Sequence, residues 1–468
     1  MIPNRGSAPR SRLQAIRNSL FFSAITLLAF AFVTPTAPVL AQESPAQQAS
    51  TFQDGSGIAK ALLSADRDML ARLPEQWPGT LVELAAPVAL ARVDGRLDEA
   101  ITAGEACLAE ARKARQFVPV TLCGLLKAGA LERRGDLVAW ARETERTRRI
   151  AKQLAAELDL KTPVDRVDVY AQVPDVNPLM ERESSTTAER GESNDALASV
   201  PYVPTPDVAR VLGNVVRFRI DDRYANGVID TGSRQTLVVP TLAPPAFMDW
   251  IWLSERSQRP GTRTRLAQAG ELQIGDLRIL RPFLVTHPAA SMNNFDAIIG
   301  LDVLSRFGKV LIEEQGVDAS AARLESLRCD NPLTFASDVA GLKGWIYLRL
   351  NIDGVDRNVA ITTGKATELT RWIPADQPMP PADEQLVVAD DFGGAYYVKE
   401  RQMSSWLVAG GELIPVQTRV RRAPPGGKGG FAIGAGILRK ASIFLDFDNR
   451  KACLVPKVSL QIMRDAEE

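Results

Sequence analysis

Histidine is almost absent from this sequence of 468 residues, which contains one copy, His287. A Ser-His-Asp or Cys-His catalytic site would have to be built around that residue, and a zinc site with two or three histidines is excluded. The run Val-Thr-His-Pro around it is more typical of a loop than of a catalytic site. The sequence also has no Cys-x-x-Cys motif and no phosphate-binding Gly-x-x-x-x-Gly-Lys motif. We therefore expect neither a metal nor a cofactor.

An excess of one charge is also lacking. Lysine plus arginine and aspartate plus glutamate both total 56. There is no stripe of basic residues with interleaved aromatic residues, so we expect no nucleic-acid partner. Apolar residues make up 45% of the chain, which is ordinary for globular proteins and lets each domain bury a core.

Cysteine is scarce, with four copies that fall into two regional pairs. Four cysteines allow three connectivities. We expect the regional pairing, Cys107 with Cys123 and Cys329 with Cys453, provided that the chain is exported to an oxidising compartment. The alternative is four separate buried thiols.

Residues 1–41 are predicted to be a secretory signal peptide. Four arginines precede an apolar stretch from Leu20 to Val33, which is too short to span a bilayer comfortably. Cleavage after Val39-Leu40-Ala41 would start the mature chain near Gln42, and an uncleaved anchor is the alternative. No cysteine directly follows the stretch, and no later apolar run is long enough for a membrane helix. We expect a periplasmic or secreted protein.

Residues 55–160 are predicted to form helical hairpins. A helix ends in charged residues, turns at Gly95 and is followed by a new helix, and the pattern recurs at Gly135, 40 residues further on. The run from Gly95 to Ala100, Gly-Arg-Leu-Asp-Glu-Ala, resembles tetratricopeptide-type hairpins, although the spacing is longer than that family's repeat. The resemblance implies a surface for a protein partner. A plain helical bundle without a binding role is the alternative.

Residues 161–206 are predicted to be a partly disordered linker, because the stretch is polar, rich in proline and nearly free of aromatic residues. From about residue 207 the pattern becomes β. The segment Val215–Ile220 alternates with period two and turns at Asp221-Asp222. The segment Trp345–Ile352 does the same before the hairpin signal Asp353-Gly354.

Each of these hairpins leads into one copy of a repeated motif. The first copy is Asp230-Thr231-Gly232-Ser233 after the apolar pair Val228-Ile229, and a second apolar strand ends at Gly300. In the second copy, Thr362-Thr363-Gly364 is followed by a strand that ends at Gly434. The offset between the copies is 132 residues at the motif and 134 at the closing glycines. Two anchors with nearly the same offset indicate an internal duplication.

Asp-Thr-Gly-Ser after an apolar strand, with Ile-Ile-Gly-Leu-Asp-Val-Leu downstream, resembles the bacterial retropepsin-like aspartic peptidases. The tandem arrangement resembles their two-lobed members. The resemblance covers about residues 207–456 and implies two acid-protease β-barrel lobes, at 207–325 and 326–460, behind the helical hairpins. The implied fold is a multidomain α plus all-β protein. The implied activity is that of an aspartic endopeptidase, which hydrolyses peptide bonds with a carboxylate-activated water.

The resemblance assigns a role to each residue of the first motif. Two carboxylates a hydrogen bond apart share one proton, so that one acts as a base and the other as an acid. Asp230 would be one of them. Thr231 would brace the opposite loop, Gly232 would let the backbone approach its symmetry mate, and Ser233 would hydrogen-bond the carboxylate.

The second lobe keeps Thr363 and Gly364, the residues that support the loop interface. It has Thr362 in place of the aspartate and Lys365 in place of the serine. A threonine hydroxyl can position a water but cannot take its proton at neutral pH, so lobes of one chain that face each other would form a weak or inert peptidase. A homodimer that pairs two first lobes would instead bring two Asp230 carboxylates together.

Each lobe is expected to carry a flap over the cleft, at 257–262 in the first lobe and at 392–396 in the second. Ordinary hairpin tips are the alternative at both places. The expected ligand is a polypeptide substrate. The rival hypotheses are a degenerate peptidase that grips extended peptides by strand addition without cleaving them, and an adaptor that works through the helical domain.

Overall fold

The computed structural model describes residues 56–160, 175–188, 200–201, 215–250, 264–286, 295–314, 316–319, 324–381, 384–391, 394–423 and 429–457. The expected signal peptide, His287 and the first-lobe flap at 257–262 lie outside these ranges. The described part begins with a helical region and continues into three β-sheets. No helix in that part is long and apolar enough to cross a membrane.

The helical region consists of antiparallel hairpins, as the sequence predicts. Its helices are α1 (Ser56–Leu63), α2 (Arg67–Gln76), α3 (Leu81–Val93), α4 (Leu97–Lys113), α5 (Phe117–Arg133) and α6 (Leu137–Glu157). Asp66, Thr80 and Asp136 cap the starts of α2, α3 and α6 by accepting hydrogen bonds from backbone N–H groups. Gly95 and Gly135 take φ values of +68° and +83° in the turns after α3 and α5, a conformation that favours glycine.

The disulfide between Cys107 on α4 and Cys123 on α5 confirms the predicted regional pairing in this region, with the two Cα atoms 5.6 Å apart. The turn between these helices ends just before Phe117. The resemblance to tetratricopeptide hairpins stays a prediction.

Within 161–206, where a partly disordered linker is predicted, the described residues contain three short elements. A short helix, α7 (Asn177–Met180), is followed by strands β1 (Thr186–Thr187) and β2 (Val200–Pro201). The two strands pair with strands of different sheets. Strands of two residues carry no periodic signal, which explains why sequence patterns miss them.

The first lobe contains strands of a ten-stranded sheet in the order β1-β9-β8-β3-β4-β11-β5-β10-β7-β6. These strands are β3 (Val215–Ile220), β4 (Arg223–Ile229), β5 (Leu237–Val238), β6 (Met248–Asp249), β7 (Arg265–Gln268), β8 (Glu271–Ile274), β9 (Leu277–Leu280), β10 (Phe283–Thr286) and β11 (Ala297–Ile299). A short helix, α8 (Leu301–Leu304), follows β11.

The second lobe is an eight-stranded sheet in the order β14-β15-β16-β21-β17-β20-β19-β18. Its strands are β14 (Thr334–Ser337), β15 (Gly344–Ile352), β16 (Val355–Ile361), β17 (Leu369–Ile373), β18 (Glu384–Asp391), β19 (Gly394–Ala409), β20 (Glu412–Arg422) and β21 (Gly430–Ile433). A further pairing of β15 with β19 makes this sheet curl back on itself.

The two lobes share one strand arrangement, which supports the duplication predicted from the motif offsets. In the first lobe, β4 pairs in parallel with β11, and β11 pairs antiparallel with β5. In the second lobe, β16 pairs in parallel with β21, and β21 pairs antiparallel with β17. The motif therefore follows β4 in one lobe and β16 in the other, at equivalent strand ends.

A third sheet joins the lobes. Its order is β2-β13-β12-β22-β23, with β12 (Lys309–Glu313), β13 (Gly316–Asp318), β22 (Ala441–Asp446) and β23 (Lys451–Pro456). β12 from the first lobe pairs antiparallel with β22 from the second, and β22 is buried along its whole length. Cys453 on β23 forms the predicted disulfide with Cys329. This sheet fixes the two motif loops in one chain relative to each other.

Candidate active site

The loops that follow β4 and β16 are built by equivalent backbone hydrogen bonds. Asp230 N donates to Ile299 O over 3.0 Å, and Thr362 N donates to Ile433 O over 2.9 Å. In each loop the third residue after the first position donates back to it, Ser233 N to Asp230 O in one and Lys365 N to Thr362 O in the other. The loops therefore have the same shape, although only one carries an aspartate.

Two threonines hold the loops against each other. Thr231 N donates to Thr363 Oγ1, and Thr363 N donates to Thr231 Oγ1, both over 3.1 Å. Thr363 Oγ1 also donates to Ile229 O over 2.8 Å. Both threonines are fully buried, so their polar groups depend on these partners. The reciprocal pair relates the loops by an approximate two-fold axis within one chain.

Asp230 lies beside this axis and faces the second loop. Its Oδ1 accepts hydrogen bonds from Gly232 N over 2.7 Å and from Gly364 N over 2.9 Å. Thr362 Oγ1 lies 3.4 Å from the same oxygen, within reach of a longer hydrogen bond. Among the described residues, Oδ2 accepts no hydrogen bond, and the side chain is partly exposed. One carboxylate oxygen is thus held by the protein, and the other has no hydrogen-bond partner among the described residues.

The glycines of the two motifs are required by the closeness of the loops. A Cβ on Gly232 would clash with the Thr362 side chain, and a Cβ on Gly364 would clash with the Asp230 carboxylate. Neither glycine has a positive φ. Close approach, rather than backbone conformation, therefore selects glycine at both positions.

Ser233 does not make the bond that the resemblance implies. Its Oγ donates to Gln235 O over 2.8 Å, so it stabilises the loop and does not orient the Asp230 carboxylate. Lys365, the residue at the equivalent position, is exposed and has its Nζ 4.8 Å from the centre of the Trp372 ring. The serine and the lysine thus contact different groups in the two lobes.

Trp250, which no sequence motif marks, precedes the segment 251–263 in which the first flap is expected. Trp250 N donates to Thr264 O over 2.8 Å, directly next to the segment 251–263, and its Nε1 donates to Gln235 Oε1 over 2.7 Å. In the second lobe, Asp391 pairs with Gly394 across a long β18–β19 hairpin. Residues 392 and 393 lie outside the described residues, so the predicted second flap is described only from Gly394 onward.

The helical region contacts the first lobe next to its motif loop. Glu132 at the end of α5 forms an ion pair with Arg234, the residue after Ser233, and Arg234 donates to Gly341 O of the second lobe. Trp140 on α6 packs edge-on against Trp250 with ring centres 5.7 Å apart. No local sequence signal marks these contacts, because they join segments more than 100 residues apart.

No three His, Cys, Asp or Glu side chains of the described residues come together as a metal site would require. What the loops bring together is one carboxylate, one hydroxyl and several backbone N–H groups. A scan against protein-family models finds no match for the chain, and a search of curated proteins finds no similar sequence.

Proposed function

We propose that the two lobes form a polypeptide-binding cleft of the retropepsin-like aspartic peptidase type, in which Asp230 activates a water for slow hydrolysis of peptide bonds. The observation that carries the proposal is the reciprocal hydrogen bonding of Thr231 and Thr363, with Asp230 facing Thr362 across the approximate axis. An aspartic site needs two such loops in contact. The duplication supplies both within one chain.

The proposed chemistry uses the two oxygens of Asp230 differently. Backbone N–H groups hold Oδ1, and Oδ2 would accept the proton of a water bound between Asp230 and Thr362. The Thr362 hydroxyl would orient that water but could not donate as readily as a carboxylic acid to the carbonyl oxygen of the substrate. Loss of this acid–base help typically costs about 10²–10⁴-fold in rate. The proposed enzyme is therefore slower than a two-aspartate site.

A homodimer built from two first lobes is the weaker candidate for a full dyad. Asp230 already faces the second lobe of its own chain, and strands β12 and β22 join the lobes in one sheet. Pairing two Asp230 carboxylates would require both the threonine contact and this sheet to open. We propose that any activity belongs to the single chain.

Peptide binding without cleavage is the second candidate, and Thr362 is the observation that favours it. A cleft with this architecture could add an extended peptide to its strand edges through main-chain hydrogen bonds while the chemical step stays negligible. An adaptor role through the helical hairpins is compatible with either candidate.

Export to an oxidising compartment is part of the proposal. Both disulfides are of the kind that persists outside the reducing cytosol. This agrees with the signal peptide expected at residues 1–41 and supports a periplasmic or secreted location.

Asp230→Asn tests the proposed function. The amide keeps the size of the side chain and an acceptor for Gly232 N and Gly364 N, so the loops should remain folded. We expect wild type to cleave an unfolded protein substrate slowly and Asp230→Asn to leave binding intact while abolishing turnover. Asp222→Asn, on the exposed β3–β4 turn, is the matched control.

Two different outcomes would contradict the proposed peptidase activity of Asp230. Equal turnover by wild type and Asp230→Asn would show that another group or a contaminant cleaves the substrate. Binding by both proteins with no turnover by either would favour the non-cleaving cleft.

A further inference from the structure

A cavity of about 480 Å³ lies where the turn between α5 and α6 meets both lobes. Its volume is within the range of small-molecule sites, which are about 300–1,000 Å³. Apolar side chains from all three parts line it, among them Leu137 of α6, Leu301 of the first lobe and Phe335 of the second. It is separate from the Asp230 carboxylate, which is not among its lining residues.

Four arginines line the cavity and differ in what they contact. Arg134 donates to Asp98 Oδ1 over 3.1 Å. Arg234 is paired with Glu132, and Arg306 donates to Gly135 O over 3.2 Å. Arg133 lies over the Phe335 ring, 4.2 Å from its centre, and forms no ion pair with any described residue. Burial lowers the pKa of Arg133 to about 10, so the group stays charged at neutral pH.

Other buried arginines lie close to Arg133. Arg92 of α3 is buried nearby and lowers the pKa of Arg234 further, after the larger effect of burial. All four hydrogen bonds of Arg92 go to neutral oxygens, those of Leu126, Ser337, Asp338 and Val339. The carboxylates that interact with these arginines are those of Glu132, Asp338 and Asp302, and the first two are nearest to Arg234 and Arg92.

The other two carboxylates of the cavity wall, Asp302 and Asp448, form no ion pair with Arg133. Asp302 accepts hydrogen bonds from Thr236 Oγ1 and Val303 N, and burial raises its pKa. Asp448 is exposed. Arg133 is therefore a charged group of the cavity wall that has no ion-pair partner among the described residues.

Arg133 and Arg234 are close enough to hold one ligand. A Cβ built on Gly344 would lie 3.2 Å from Arg133 Nη1 and 3.4 Å from Arg234 Nε. Arg234 Nε is buried and has no hydrogen-bond partner among the described residues. Both nitrogens therefore lie near one point and belong to side chains that line the cavity. A carboxylate is the group whose two oxygens best match donors from neighbouring guanidinium groups.

We propose that this cavity binds an apolar ligand through a single carboxylate, which Arg133 and Arg234 hold while the apolar body fills the chamber. The carboxyl terminus of a hydrophobic peptide and a small free carboxylic acid share this chemistry. Because Arg234 follows the Asp230 loop directly and Glu132 belongs to α5, the ligand would contact the helical region and both lobes at once.

Calorimetric binding to the full chain tests the proposal with two pairs of probes. The first pair is acetyl-Leu-Phe with a free carboxyl terminus and its carboxyl-terminal amide, and the second is hexanoate and hexanamide. We expect each acid to bind at least about tenfold more tightly than its amide, because a charged hydrogen bond is lost in the amide. A preference for the peptide acid over hexanoate would identify a polypeptide terminus as the ligand, and the reverse would identify a small acid.

Arg133→Gln should reduce the affinity for the acids by about tenfold or more and leave the amides unchanged. Arg149→Gln, a matched change on the exposed face of α6, should have no effect. Ser305→Trp gives a second test that leaves the arginines intact, because the added ring would occupy the chamber. Thermal melts would verify that each variant folds.

Equal binding of acids and amides, or unchanged acid affinity in both Arg133→Gln and Ser305→Trp, would overturn the proposal. Binding that Asp230→Asn abolishes and Arg133→Gln preserves would place the ligand in the cleft and would overturn it too. The readout is binding and not cleavage, so it is independent of whether the Asp230 site is active.

Discussion

Threonine at position 362 alters how a proton can move in the candidate site while leaving the loop around it intact. Thr362 N makes the same backbone bond as Asp230 N, and Thr363 and Gly364 retain the interface. The loss is confined to one carboxylate. We therefore expect that a substitution at this one position can supply the missing carboxylate.

We predict that Thr362→Asp restores a dyad. Thr362 Oγ1 is 3.4 Å from Asp230 Oδ1, so an aspartate there would place two carboxylates close enough to share a proton. Peptidase activity should rise by about 10²–10⁴-fold with an acid-shifted pH profile, measured as turnover of an unfolded substrate.

Lys365→Ser provides the companion variant, since the first lobe has serine, Ser233, at the equivalent position. Because Lys365 Nζ lies over Trp372, we expect the single Thr362→Asp change to give most of the gain and the double change to add little. A folded double variant that stays inert would contradict the dyad argument.

An ionic cluster in the helical region gives a pH-dependent prediction. Arg146 donates to both oxygens of Glu105 over 2.7 and 2.8 Å, and with a contribution from Lys127 this lowers the pKa of Glu105 to about 2. A lowered carboxyl pKa stabilises the fold above the unfolded pKa of about 4.3, and the stabilisation is lost as the pH falls towards 2.

Glu105→Gln should therefore lower the melting temperature at pH 7 and have no effect near pH 2. The free energy of unfolding at pH 7 should fall only slightly, on the order of 0.2–1 kcal/mol, because the Glu105 side chain is 45% exposed and solvent screens the ion pair. Glu110→Gln on the same helix is the control. A melting difference that is the same at both pH values would contradict the ion-pair explanation.

At the scale of elements, the duplicated strands were predictable and the joining strands were not. Val228-Ile229 and Ile298-Ile299 are apolar runs placed at fixed distances from glycine, and they form the parallel pair β4–β11 as the motif requires. β1 and β2 have two residues each and depend entirely on their partners. Ser233 Oγ donates to Gln235 O, a local bond that competes with a bond to the carboxylate, and sequence does not decide between the two.

The two disulfides close loops of different length, so their contributions to stability can be compared. Cys107 and Cys123 are 16 residues apart, whereas Cys329 and Cys453 are 124 apart. In the chain-entropy description, closing the shorter loop stabilises by about 3 kcal/mol and closing the longer one by about 5 kcal/mol. Replacing the second pair by serines should thus reduce the free energy of unfolding more than replacing the first. Chemical denaturation of both double variants would measure this, and an equal or reversed order would contradict it.

At the scale of the whole molecule, the helical region is part of the same packed unit as the lobes. The loop between β14 and β15 is held by Arg92, whose guanidinium donates to Asp338 O over 2.9 Å and to Val339 O over 2.7 Å. Trp140 Nε1 donates to Ala340 O over 2.9 Å in the same loop. One apolar cluster runs from the helices into residues of both lobes. Sequence patterns predict separate domains joined by a linker, because contacts between distant segments leave no local pattern.

Arg92→Leu should uncouple the helical region from the lobes. The variant would leave the buried oxygens of the loop without their donor, at a cost of a few kcal/mol, on the order of 3. Wild type should unfold in one transition, with helix content and tryptophan fluorescence changing together, whereas Arg92→Leu should show the helical signal melting apart from the fluorescence signal. Arg149→Gln should unfold like wild type, since its side chain is exposed. Two separate transitions already present in wild type would mean that the contacts at Arg92 and Trp140 do not couple the parts. The cavity beside Arg133 would then have walls that can separate, and a ligand bound there should bring the two transitions together.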